Sequence, residues 1–257
     1  MNEFEILSQF LKYPINTSEG IFTHFRRGLD DENIHYQFYG DELYTQNKNR
    51  FLYVPGQRKD RVVLVAHADT VKDQFYTSKT NLNGQIWEMN FENGAFKLVD
   101  QQNKELVLGA DDRAGCAILW LLRNSGHSLL ITDGEEKERI GSKFLMANHP
   151  KIADELNSHQ FMVQFDRKNK KDFKTYEVGT DEFRKYIETK TGFKHMTDGG
   201  YTDIVTLCTK ICGVNFSVGY YYPHTSMETL VYSEWEKTYK TAQKLLGINP
   251  LPRFVLM

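Results

Sequence analysis

Cysteine is scarce in this chain, with only Cys116, Cys208 and Cys212 among 257 residues. An odd, small number behind an opening (MNEFEILSQFLKYP) that carries acids where a secretory leader carries bases argues against a disulfide framework. Long apolar runs are missing too, since nothing approaches the ~20 residues that cross a bilayer. The chain is therefore expected to be soluble and cytoplasmic, with no membrane partner. Charge of one sign is also lacking: Lys plus Arg is 32 against Asp plus Glu at 34, a formal net charge of -2. That balance leaves no basic footprint for phosphates, so no nucleic-acid partner is expected. Heptads, internal repeats and low-complexity stretches are absent. With 40% hydrophobic and 26% charged residues, the composition is that of an ordinary globular chain able to bury a core. No Pro-, Gly- or Ser-rich linker divides it, so one domain over 1–257 is expected.

Apolar spacing predicts a helix from Phe4 to Leu11, stopping before Pro14, and a second after the cap signal Asn16-Thr17-Ser18. Strands are expected at 50–54 and 61–66, the latter a continuous apolar run of the kind covered on both faces. Residues 80–108 alternate weakly around Asn83-Gly84 and Asn93-Gly94, which predicts hairpins in an edge insertion spanning about 75–108. Beyond it, helices are expected at 115–122, 141–148, 181–189 and 233–246, and strands at 128–132, 161–165, 203–208 and 214–218. Strands alternating with helices predict an α/β fold, a mixed and mostly parallel sheet with helices on both faces.

Ligands of open α/β sheets bind beyond the carboxyl ends of the strands. The residues expected there are nearly all metal-ligand types: His67-Ala68-Asp69, Asp111-Asp112, Asp133-Gly134-Glu135-Glu136, Asp166 and, a few residues after a later strand, His224. One Asp at a strand end is most often a turn or helix-cap residue. Five such ends on one rim are different, because carboxylates gathered there without a cation repel one another. Two histidines with carboxylates and no cysteine suit zinc or a similar divalent ion in a catalytic site. Cys208 and Cys212 lack a second ligand pair and read as core packing.

In His67-Ala68-Asp69 the two polar residues project to the same side of an extended backbone, so Asp69 is placed to accept a hydrogen bond from His67. The adjacent Glu135 and Glu136 point in different directions. One can ligate while the other faces a water as general base.

His67-Ala68-Asp69-Thr70, Gly109-Ala110-Asp111-Asp112-Arg113-Ala114-Gly115, Asp133-Gly134-Glu135-Glu136, Asp166 and His224 together resemble the ordered motif set of the co-catalytic zinc exopeptidases. Gly200-Tyr201-Thr202-Asp203 and His224-Thr225-Ser226-Met227-Glu228 are most similar to the glutamyl-aminopeptidase type, and Gly-Ala-Asp-Asp is also close to the peptidase T type. The resemblance implies a phosphorylase/hydrolase-like fold and two divalent ions, zinc first, with cobalt or manganese possible. It implies that Asp111 bridges them, that His67 and Asp166 complete one site and Glu136 and His224 the other, that Glu135 is the general base, and that Asp69 backs His67. Families of this kind usually carry an inserted lid or dimerisation domain. The intervals 67–111 and 166–224 are too short for one here, so oligomeric form does not carry over.

The function expected on these grounds is metal-dependent cleavage of short peptides, by an aminopeptidase. An amidohydrolase, deacylase or carboxypeptidase acting on acyl-amino acids would use the same centre. A metal-stabilised binding module without turnover would not need Glu135. Roles for Arg113, Asp203, Tyr220-Tyr221-Tyr222 and Glu228 stay open at this point; Arg113 and the tyrosines are candidates for the substrate side, and Glu228 for either a substrate amine or the His224 loop.

Overall fold

A computed structural model describes residues 1–40, 49–71 and 87–256. The chain opens with α1 (Glu3–Leu11) and α2 (Glu19–Asp31), then β1 (Gln37–Tyr39), β2 (Phe51–Val54) and β3 (Val63–His67). An excursion follows through β4 (Trp87–Glu92), β5 (Ala95–Asp100) and β6 (Glu105–Leu106) to α3 (Ala110–Leu122). Next come β7 (Ser128–Thr132), α4 (Ile140–Asn148), α5 (Pro150–Leu156), β8 (Met162–Arg167), β9 (Asp172–Lys174) and α6 (Asp181–Thr191). The chain closes with β10 (Lys194–His195), α7 (Asp203–Leu207), β11 (Gly213–Ser217), β12 (Tyr220–Tyr221), β13 (Thr229–Val231) and α8 (Tyr232–Leu246).

Eight strands form the main sheet in the order β1-β2-β7-β3-β8-β11-β9-β10. The central pairs β7·β3, β3·β8 and β8·β11 are parallel, while β1 and β2 add antiparallel at one edge. The α/β expectation and its single domain hold. Side chains alternate across β3: Leu64 and Ala66 join the core under α1, α2, α3, α6 and α8, whereas Val63 and Val65 join the core under α4, α5 and α7. Helices thus cover both faces, which is why the run reads as uninterrupted apolar residues. Among the described residues no helix is long and apolar enough to cross a membrane.

Register sets the site. His67 pairs with Thr132 and Val65 with Gln164, so the carboxyl ends of β3, β7 and β8 finish at one level, next to the residues that follow them. A second sheet, β12-β13-β5-β4 with β6 on β5, stands beside this rim. Its β4–β5 turn is Asn93-Gly94, with φ of 52° and 81°, the two-residue hairpin that this dipeptide favours. The Asn83-Gly84 turn lies outside the described residues.

Two expectations need correction. Residues 203–207 form α7, with Cys208 as its cap, and not a strand: Ile204, Leu207 and Cys208 all enter one core cluster at helical spacing, and a short apolar run does not by itself separate the two periods. Asp111-Asp112 does not end a strand of the main sheet. It interrupts the first turn of α3 with extended backbone (φ/ψ of −83°/101° and −119°/41°). Helix α5 adds an element to the expected set; it has Pro150 in its first turn, where the missing N–H of proline costs no hydrogen bond.

Candidate metal centre

His67 is fully buried at the end of β3. Its Nδ1 lies 3.0 Å from the Asp69 backbone carbonyl and 3.3 Å from Asp69 Oδ1. With Nδ1–H donating to that carbonyl, Nε2 is left toward the rim, 3.2 Å from Asp111 Oδ1 and 3.5 Å from Asp166 Oδ1. Asp69 therefore stands behind His67 as expected, but its backbone oxygen is the nearer partner. Its carboxylate accepts the backbone N–H groups of Glu135 (3.1 Å) and Glu136 (3.3 Å), which pins the turn after β7.

Asp111 sits between the two histidines. Its Oδ2 is 3.2 Å from His224 Nε2, which also meets Glu136 Oε1 at 2.8 Å. His224 comes from the loop between β12 and β13, so the small second sheet supplies this side of the centre. Asp166 receives hydrogen bonds from Thr202 Oγ1 (2.7 Å), Gln164 Nε2 (3.1 Å) and the Tyr220 hydroxyl (3.3 Å). Ligand-type atoms of His67, Asp111 and Glu136 lie within 4.8 Å of one another, as do those of His67, Glu135 and Asp166. All seven residues expected at the site, Asp69 included, are gathered on one rim.

The charges there are unbalanced. Burial, followed by repulsion from Asp111, pushes Asp166 up to about 7. Burial and Asp166 raise Glu135 well above the usual carboxylate range, and burial and Asp111 raise Glu136. Contacts with Asp111 and Glu136 push His224 up to about 11. Burial alone would lower His67, but Asp166 and Asp111 outweigh it and raise it. Asp111 goes the other way: burial would raise it, but His224 and His67 outweigh that and lower it. Crowded carboxylates of this kind are relieved by positive charge. An imidazole–carboxylate set of this composition fits divalent ions of the zinc type.

Residues with open roles now have places. Glu228, 1% exposed, accepts the backbone N–H of Gly109 at 2.7 Å and of Asp111 at 3.1 Å. It holds the segment that carries Asp111. Asp112 accepts from the backbone N–H of His67 (3.1 Å) and of Gly115 (2.9 Å), tying β3 to α3. Arg113 is buried and donates to the carbonyls of Ala68, Pro14 and Thr17, so its contacts are structural and not on the substrate side. Asp203 accepts from the Thr132 hydroxyl. Tyr220 lines the cleft, Tyr221 bonds Glu234 and Tyr222 is exposed. No sequence signal distinguishes the carboxylate of Glu228 from a substrate-facing one, because the partners it meets are backbone groups 117 and 119 residues away.

A cleft of about 450 Å³ opens over Asp111, Glu135, Glu136, Asp166 and His224, with Arg139 and Lys143 on its wall.

No protein-family profile matches the sequence, and no curated protein matches it. Solved structures do. The aminopeptidase PepT of Bacillus cereus aligns over 95% of this chain and 98% of its own, at 14% identity and a TM-score of 0.62. A tripeptidase of Staphylococcus aureus aligns over 95% and 97%, at 13% identity and 0.65. The TET1 peptidase of Pyrococcus horikoshii, which can assemble into a tetrahedron or a large octahedral shell, aligns over 95% and 99%, at 16% identity and 0.63. The chain has the fold of these peptidases.

Proposed function

We infer that this chain is a metal-dependent exopeptidase of the co-catalytic zinc type, one catalytic unit that removes N-terminal residues from short peptides. One observation carries the reading: the Asp111 carboxylate offers one oxygen to His67 and the other to His224, with Asp166 beside the first and Glu136 beside the second. His67, Asp111 and Asp166 would hold one ion, and Asp111, Glu136 and His224 the other. Divalent ions bound there, zinc first, would supply Lewis acidity at a scissile carbonyl and at the attacking water.

The rest falls to the chain's own groups. Glu136 touches His224, and among the described residues Glu135 makes no such contact, which supports Glu136 as ligand and Glu135 as base. With divalent ions offsetting the charge of Asp166, Glu135 would ionise, accept a proton from water and return it to the departing amine. Asp69 fixes the orientation of both through their backbone N–H groups. Buried free thiols at Cys116, Cys208 and Cys212 suit a reducing compartment such as the cytoplasm.

The test is trialanine against N-acetyl-trialanine and a panel of acyl-amino acids, with added zinc or cobalt and products read by mass spectrometry. Release of alanine from the free amine only supports the aminopeptidase. Equal cleavage of the acetylated peptide, or release from the C-terminus, moves the chain to the deacylase or carboxypeptidase reading. No turnover of anything leaves the binding module.

A further inference from the structure

Three successive backbone N–H groups of the turn after β7 face carboxylates that lie outside the proposed ligand set. Glu135 and Glu136 donate to Asp69, one to each oxygen, and Gly134 donates to Asp133 Oδ1 at 3.0 Å. Asp69 stands against the His67 ring. Asp133, wholly buried, is held from another quarter of the fold. Its Oδ2 accepts from Arg50 Nε at 2.5 Å and from the Ser18 hydroxyl at 2.8 Å, while Arg50 Nη2 donates to Ser18 Oγ at 2.6 Å. The three side chains close a ring.

Its members come from distant parts of the chain. Ser18 occupies the N-cap position of α2, where serine ordinarily bonds the first turn through its hydroxyl. Here it makes no such capping bond, and the hydroxyl meets Asp133 and Arg50 instead. Arg50, 1% exposed, also bonds Glu19 Oε2 at 2.7 Å and lies 4.7 Å from the centre of the Phe22 ring. Where packing alone is needed, apolar side chains of similar volume do as well as a buried ion pair or better. Stability therefore does not by itself account for this cluster.

The backbone around it shows a second task. Asp133 N–H donates to the Arg50 carbonyl at 3.1 Å, Gly141 N–H donates to the Asp133 carbonyl at 2.8 Å, and Ile140 N–H donates to the Gly134 carbonyl at 2.9 Å. A Cβ on Gly141 would come within 2.4 Å of the Asp133 carbonyl and 2.8 Å of the Arg50 carbonyl, so only glycine allows this approach. Both ends of the 133–141 turn thus close on Asp133, and Glu135 and Glu136 lie inside it. Glu136 reaches His224 from that turn, and Glu135 lines the cleft.

We propose that Asp133 is a positioning residue for the metal centre: clamped by Arg50 and Ser18, it fixes the turn that presents Glu135 and Glu136, which makes the start of α2 part of the support of the site. The inference rests on the dinuclear reading of that centre.

Zinc binding and amide exchange test it together. Competition with a chromogenic chelator yields two zinc constants for the native chain, and Glu136→Gln identifies the one that belongs to Glu136 and His224. Asp133→Asn should weaken that same constant about 10- to 100-fold and leave the other within about twofold, as expected of a group that orients one ligand. Ser18→Ala should weaken it in the same direction by less. In metal-free protein, the amides of 134–136 should exchange about tenfold faster or more in Asp133→Asn, with those of β3 and β8 unchanged, because one acceptor of that turn is lost locally. The double variant Arg50→Met with Asp133→Leu removes both buried charges at once, so its melting temperature should stay closer to native than that of Asp133→Asn. Its zinc and exchange defects should persist, because Gly134 still lacks its acceptor. Should Asp133→Asn fail to fold, Ser18→Ala and the double variant carry the same two readouts. Native-like exchange at 134–136, equal loss at both zinc sites, or a double variant that binds zinc as the native chain does overturns the positioning role. A native chain that binds fewer than two zinc ions sinks the dinuclear reading alone, and the exchange of 134–136 still decides the role of Asp133.

Discussion

Replacing Glu228 with glutamine tests how the site holds its bridging carboxylate. The side chain is buried and makes two bonds, to the N–H groups of Gly109 and Asp111. Burial, and next the negative charge of Asp111, push it up to about 8. In the metal-free protein near pH 7 it is therefore largely protonated, and glutamine replaces one neutral group by another. The cost there is one backbone donor facing an NH₂ group, about 1–3 kcal/mol for an unmade buried hydrogen bond. Once ions neutralise Asp111, that repulsion disappears and Glu228 ionises. Glutamine then forfeits charge-assisted bonds worth about 1.5–3 kcal/mol each. The difference appears as zinc affinity, and a loss of roughly 10- to 100-fold is expected, as for other residues that orient metal ligands. Competition with a chromogenic chelator measures it, and the melting curve of the metal-free variant gives the structural cost separately. Unchanged zinc affinity and unchanged turnover in Glu228→Gln would refute the positioning role.

Glu135→Gln keeps shape and removes the base, so peptide turnover should fall by ~10² to 10⁴-fold while metal content stays near two per chain; near-native turnover would transfer the role elsewhere. Arg50→Ala removes the buried cation paired with Asp133 (2.5 Å) and Glu19 (2.7 Å). About 3–5 kcal/mol of stability should be lost, read by urea denaturation, since breaking a buried pair leaves a charge behind; a loss under about 1 kcal/mol would contradict that account. Stability of the metal-free chain should fall as pH rises from 7 to 9. Glu228 (about 8) and His224 (about 11) are raised above their unfolded values, so the stability they add is lost as pH climbs through those values. His24, His127 and His159, lowered to about 4, are neutral in both states over that window and do not oppose the trend. Because His224 is 44% exposed, solvent screening discounts its share and a drop on the order of 1–2 kcal/mol is expected, which saturating zinc should abolish by favouring the deprotonated ligands. A flat profile without metal would refute the charge assignment.

Much of this site is legible in the amino-acid sequence. The apolar runs ending in His67 and at Thr132 are strands buried on both faces, and their parallel pairing follows from the alternation with helices. Asp166 and Glu135-Glu136 are legible for the same reason, since strand ends of one sheet share a rim. The rest depends on contacts distant in sequence or on ambiguous periods. Residues 203–208 are β-branched and apolar enough for a strand, and only packing against the second core makes them a helix. The hairpin at 93–94 reads as peripheral, yet β5 pairs with β13 and so braces the loop of His224. Arg139 sits in the charged stretch GEEKER, which taken alone, without the other strand ends, reads as a solvated turn. Its lack of a carboxylate partner among the described residues is visible only in three dimensions.

Stepwise zinc addition to chelator-stripped protein, with trialanine hydrolysis followed at each step, tests the central claim most directly. The account predicts no hydrolysis without metal and a rise to a plateau at about two equivalents per chain. Hydrolysis that persists in excess chelator, or none at any zinc loading, would contradict it.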